Sequence, residues 1–119
     1  MAKISFTKLG LVKNQDIKTV EWNGQIIEIK QYLPINEKLN LITNVINAAH
    51  DSNKNFSNPI QVKVYTDLEI LYFYTNINFT EKQKEDVAKL YDLVNSSGLV
   101  EAILNVIPDK EYKNIICGI

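Results

Sequence analysis

The Asn23-Gly24 pair constrains this chain more than any other feature. Both residues tolerate positive φ, and a type I′ turn needs that at its two central positions. The residues on either side match the turn. Ile17-Lys18-Thr19-Val20-Glu21-Trp22 alternates apolar with polar, and Gln25-Ile26-Ile27-Glu28-Ile29-Lys30 does so from Ile27 onward. The spacing therefore predicts a two-residue β-hairpin. A hairpin alone is marginally stable in water, so the face carrying Val20, Trp22, Ile27 and Ile29 must rest on something apolar. Residues 4–12 could form either a third strand or an extended arm.

After Leu33-Pro34 the pattern changes from alternation to helical spacing. Ile35, Leu39, Ile42, Val45, Ile46 and Ala49 recur every three or four residues, which predicts a helix over 36–50 with Asn36 as its N-cap. Residues 51–58 are polar apart from Phe56 and read as a surface loop. Asn58-Pro59 has the form of an N-cap followed by proline at the first helical position. The segment 60–75 begins with strand-like alternation and becomes apolar nearly all round. It exceeds the usual strand length, and Ile60, Val64, Leu68, Leu71 and Thr75 fit a helical stripe, so one central buried helix is expected.

Thr80-Glu81-Lys82-Gln83 has capping-box spacing and opens a third helix with Val87, Leu90, Tyr91 and Val94 on its apolar face. Ser97-Gly98 stops that helix. A short helix from Leu99 to Ile107 should end at Pro108, and Asp109 can cap a last one through Tyr112, Ile115 and Ile116. The expected fold is α+β: one domain over 1–119, with an N-terminal β-hairpin packed against a bundle of four to five α-helices. The strand and hairpin region is 1–33, and the helical region is 34–119.

Composition narrows function mainly by exclusion. The chain has 13 basic and 14 acidic residues, and every basic one is lysine. Without arginine's bidentate fork or a cationic excess, nucleic-acid binding is not expected. The single cysteine, Cys117, rules out an internal disulfide and reads as a small apolar residue on a terminal helix or tail. No stretch reaches the roughly 18 apolar residues of a membrane span, and the first residues carry no secretory pattern. No membrane association is expected, and the expected location is the cytoplasm of the cell that makes the protein.

Each route to catalysis lacks a part. His50 is the only imidazole; at a helix end, followed by Asp51 and Ser52, it reads as a cap favoured by the helix dipole rather than as a base. One histidine and one distant cysteine exclude ordinary zinc patterns. Asp51-Ser52-Asn53 lacks the calcium-loop glycine and glutamate; Phe56 and Val62 occupy those places. Asp67 and Glu69 lie about 200° apart on a helix and read as solvent-facing or capped positions rather than an acid–base pair. Gly10, Gly24, Gly98 and Gly118 are too scattered for a phosphate loop. No catalytic, metal or cofactor-binding residue is therefore assigned, no cofactor is expected, and no particular partner-binding residue is singled out. Tyr65, Tyr72, Phe73 and Tyr74, with Ile77 and Phe79 following, could fill the core or form an interface.

Three stretches carry a resemblance. Ile29-Lys30-Gln31-Tyr32-Leu33-Pro34-Ile35-Asn36-Glu37-Lys38-Leu39, Tyr74-Thr75-Asn76-Ile77-Asn78-Phe79-Thr80 and Lys89-Leu90-Tyr91-Asp92-Leu93 look like small morphogenesis proteins of tailed phages infecting AT-rich hosts. The nearest functional class is the tail assembly chaperones. The resemblance implies a cytoplasmic, non-enzymatic factor that binds the tape measure protein and holds it soluble until the tail tube polymerises. Another tail or head protein as partner, and a homo-oligomer, fit the same class. Two other binding roles are open: a head–tail connector or other virion structural protein, and a phage inhibitor of a host defence protein. The near-neutral charge does not favour the inhibitor, and an enzyme would be revived by turnover lost in His50→Ala.

Overall fold

The structure is a computed structural model that describes residues 3–51 and 59–119, except for the side chains of His50 and Asp51. Strands β1 (Ile17–Trp22) and β2 (Gln25–Lys30) pair antiparallel, with Val20 opposite Ile27 and Trp22 opposite Gln25. Asn23 and Gly24 take φ of 50° and 80°, the left-handed values that the turn requires. Ile27 and Ile29 are buried beneath the hairpin, while Val20 and Trp22 pack half-buried beside them. The hairpin does not stand alone. Thr75 bridges Ile29 at the free edge of β2, and Asn76 Oδ1 accepts from the Glu28 backbone N–H at 2.9 Å. A short segment from beyond position 70 thus satisfies an edge that would otherwise present unpaired groups.

Residues 3–16 form an arm, not a third strand. It contains one 3₁₀ turn (Phe6–Leu9) closed by Gly10 in the left-handed conformation, and every residue from Lys3 to Thr19 is exposed.

Six helices follow among the described residues: α1 (Ile35–Asp51), α2 (Pro59–Tyr74), α3 (Glu81–Glu85), α4 (Val87–Ser96), α5 (Leu99–Leu104) and α6 (Asp109–Gly118). The sixth arises because the expected third helix divides at Asp86, where φ −96° and ψ 81° break the turn. The capping box of α3 is complete: Thr80 Oγ1 accepts from Gln83 N–H at 3.2 Å, and Gln83 Oε1 accepts from Thr80 N–H at 2.9 Å. Asp86 then caps α4 through Lys89 N–H at 3.1 Å. Two strong caps in sequence favour two helix starts over one continuous helix.

Three cap and boundary expectations are corrected. The first turn of α1 starts at Pro34, whose carbonyl accepts from Lys38 N–H at 2.9 Å, so Asn36 lies inside the helix. Helix α5 ends at Leu104 rather than Ile107, because Pro108 bars helical backbone at the residue before it. Asp109 is the first residue of α6 and makes no side-chain cap; its charge still favours the dipole at that end. The loop at 51–58 and the Asn58 cap lie outside the described residues, apart from Asp51, which ends α1.

Helix α2 is the central helix that its all-round apolar half implied. Leu68, Ile70, Leu71 and Tyr74 are buried, and α1 and α5 pack against it. In its first turn Ile60 is exposed, while Val62 packs against the core. Ile29, Leu33, Leu41, Val45, Ile103 and Ile115 complete the core around it.

The largest correction concerns α1. The side chains turned inward are Lys38, Leu41, Val45 and Ala49, while Ile35, Leu39 and Ile46 are exposed and Ile42 is half-buried. Of the expected face only Val45 and Ala49 turn inward; helical spacing mixed two apolar rows of α1, and the row of Ile35, Leu39 and Ile46 faces outward.

Candidate functional site

The buried polar chemistry of this chain gathers around two carboxylates. Glu111, on α6, is 5% exposed and is reached from three other parts of the chain. Its Oε1 accepts from the Leu33 backbone N–H at 3.0 Å and from the Tyr74 hydroxyl at 2.9 Å. Its Oε2 accepts from Lys38 Nζ at 3.2 Å, an ion pair with both side chains 7% exposed. Burial, and then the Glu111 charge, push the Tyr74 phenol far above its ordinary value, so it stays a donor. The end of the hairpin, α1, α2 and α6 are thereby held at one point. Neither Glu111 nor Lys38 stands out in the sequence as a buried residue. The available signal for Lys38 was its place in the sparser stripe with Leu41, Val45 and Ala49.

Asp67 forms the second centre and corrects an expectation: it is not solvent-facing but 1% exposed. Its Oδ2 accepts from Lys63 Nζ at 2.6 Å and from the Tyr91 hydroxyl at 2.9 Å, joining α2 to α4. Oδ1 finds no hydrogen-bond donor among the described residues. Partial burial opposes the Lys63 charge, but the Asp67 hydrogen bond and charge outweigh it and raise the Lys63 pKa. The arrangement fits a packing role, since the lysine and tyrosine stabilise a charge that burial alone would penalise.

Glu69 points elsewhere, as the angle between the two positions requires. Its Oε1 accepts from Asn44 Nδ2 on α1 at 2.8 Å. It lines a cleft of about 540 Å³ with Lys30, Glu37, Tyr72 and Lys84. The Lys84 ammonium sits 4.7 Å from the centre of the Tyr72 ring. Burial, and then the charges of Glu69 and Glu81, push the Tyr72 phenol up to about 12. Burial also raises the Glu69 carboxyl above its ordinary 4.5, against the Asn44 hydrogen bond and the Lys84 charge.

The folded state therefore binds the Glu69 proton more tightly than the unfolded state, and stability falls as pH rises from about 4.5 through the raised value. Glu69→Gln keeps an acceptor for Asn44 and removes the ionisation. It is expected to melt above the wild type at pH 7, with the gap closing as the pH is lowered to about 4, in paired thermal unfolding scans. A gap independent of pH would show that the carboxyl is not desolvated.

The remaining candidates do not converge. His50 lies next to the end of the α1 backbone, and its suggested neighbour Ser52 is outside the described residues, as is the Ser52-Asn53 part of the calcium-like run. Cys117 is exposed on α6. Tyr65, Tyr72, Phe73, Ile77 and Phe79 pack half-buried against the core, and Tyr74 is fully buried, so this cluster serves mainly the interior. Among the described residues no group of three or more metal-ligating side chains gathers. No helix among them is long and apolar enough to cross a membrane.

What the surface does present is apolar. Ile4, Phe6, Leu9, Leu11 and Val12 on the arm are 54% to 89% exposed, and Ile35, Leu39 and Ile46 on α1 are 40% to 59% exposed. Ile35, Leu39 and Ile42 line a groove of about 670 Å³ between α1 and α6, together with Asn14, Tyr32 and Pro108 and the polar side chains of Lys38, Lys110 and Glu111. Helix α6 closes on α1 at Gly118, where a Cβ would collide with the Ile42 side chain. No protein-family model matches the chain, and neither the curated proteins nor the solved structures contain a significant match to it.

Proposed function

We propose that this chain is a non-enzymatic, protein-binding factor of phage tail morphogenesis, similar to the tail assembly chaperones, with the tape measure protein as its partner. The observation that carries the binding role is the uncovered apolar stripe of α1. Ile35, Leu39, Ile42 and Ile46 follow one another at four-, three- and four-residue steps, the spacing that seats one helix on another. Their helix neighbours Asn36, Asn40, Thr43 and Asn47 are uncharged, and the exposed Lys110 of α6, which lines the same groove, can keep its ammonium in water at the rim of the contact. A long helical protein supplies the complementary face. The resemblance to phage morphogenesis proteins supplies the choice of partner.

Co-expression with the tape measure protein encoded in the same genome tests this reading. The tape measure protein is expected to stay soluble and to co-purify with the chain, and Leu39→Asp is expected to return it to the insoluble fraction. A tape measure protein that is equally insoluble with and without the chain overturns the proposal. Mass spectrometry of purified virions separates the connector alternative, since a virion structural protein would be found there in stoichiometric amounts.

A further inference from the structure

Among the described residues two apolar surfaces are exposed, and they meet at one place. The arm enters β1 past Asn14, which lines the α1–α6 groove. The Asn14 side chain accepts from Asp16 N–H at 2.8 Å, which fixes the turn by which the arm leaves the body. From there the arm runs outward, exposing five large apolar side chains instead of folding back. The radius of gyration of 16.7 Å exceeds the roughly 13.5 Å expected of a compact chain of this length.

Areas decide which occupant suits the groove. Taking on the order of 200 Å² for a fully exposed large side chain, the arm offers about 700 Å² of apolar surface and the α1 stripe about 300 Å². Two α1 stripes packed on each other would bury about 600 Å² in total, below what a stable dimer needs. Two arms exchanged into two grooves, each seating Phe6, Leu11 and Val12 on Ile35, Leu39 and Ile42, would bury about 1,400 Å², within the range of specific interfaces. A monomer rarely leaves a contiguous apolar patch of more than a few hundred Å² open to water.

We infer that the groove between α1 and α6 is the docking site for the arm, residues 4–12, of a second copy of this chain, in a reciprocal exchange. Phe6, Leu11 and Val12 of one copy cover Ile35, Leu39 and Ile42 of the other. The exchange follows from surface that needs no tape measure protein, so it stands apart from the proposed function. Because both use the α1 stripe, the dimer is the form held while the partner is absent, and a helical partner displaces the arm.

Sedimentation equilibrium of the full chain, without any partner, tests the exchange. The wild type is expected at twice its 13.6 kDa chain mass at micromolar concentration. Phe6→Asp with Leu11→Asp removes the arm contact, and Leu39→Asp removes the groove contact. Each variant alone is expected at the monomer mass, with circular dichroism unchanged. Mixed together, they retain one intact arm and one intact groove, so a heterodimer is expected, at least tenfold weaker than the wild-type dimer. A monomeric wild type overturns the inference, whether the arm is free or folded on its own groove. So does an arm variant that still dimerises, which is the result of α1–α1 pairing. A mixture that stays monomeric also overturns it, because the arm and the groove would then not be each other's partners.

Discussion

Replacing Glu111 with leucine is expected to destabilise the fold by about 3–5 kcal/mol, the cost of stranding one member of a buried ion pair. Lys38 would be left charged in a site where its side chain is 7% exposed. The Tyr74 hydroxyl and the Leu33 N–H would lose the oxygen that both now share. For a chain of this size the loss lowers the melting temperature by roughly 10–20 °C. Lys38→Met should cost less, because Glu111 would keep two neutral donors. In the double variant no unpaired charge remains buried, although the Tyr74 and Leu33 donors do. Its cost should therefore fall short of the sum of the single variants by at least about 1 kcal/mol. Urea unfolding of the four proteins measures this directly. Strict additivity would mean that Lys38 and Glu111 do not sense each other.

The second large effect contrasts two leucines on one helix. Leu41→Ala is expected to cost about 2–5 kcal/mol, since Leu41 is fully buried and its neighbours can only partly collapse into the space. Leu39→Ala should stay within about 0.5 kcal/mol of the wild type, measured at a concentration where the chain is monomeric. The two positions lie about 200° apart around α1, so they cannot both face the core. The opposite order of effects would mean that Leu39, and not Leu41, faces inward. Leu39→Ala should instead lose self-association, a change that Leu41→Ala does not produce at matched folded fraction.

These two leucines show why the sequence was only partly readable. Hydrophobic spacing identifies a helix, but it identifies the inward face only when apolar residues occupy a single face. In α1 the row Ile35, Leu39, Ile42 and Ile46 is richer than the row containing Leu41, Val45 and Ala49, because the second row includes Lys38. That lysine is buried only because Glu111, 73 positions away in sequence, supplies its counter-charge. Asp67 has its counter-charge close by, Lys63 one turn earlier, but its burial depends on α4, whose Tyr91 lies 24 positions away. A charge read without its partner is assigned to the surface, as base rates direct.

The local elements were legible where backbone chemistry decides them. Asn23-Gly24 set the hairpin, the Thr80–Gln83 pair set the start of α3, and Gly98 ended α4, each through φ values or hydrogen bonds within a few residues. The α+β character follows from these signals together with the switch from alternation to helical spacing at Leu33-Pro34. Tertiary structure alone decided which face of α1 turned inward, that Glu111 would join four segments, and that Thr75 and Asn76 would close the hairpin edge. It also left the apolar side chains of the arm, and Ile35, Leu39 and Ile46 of α1, exposed among the described residues. Contacts between distant residues depend on how the elements pack, and no pattern confined to one element contains that information.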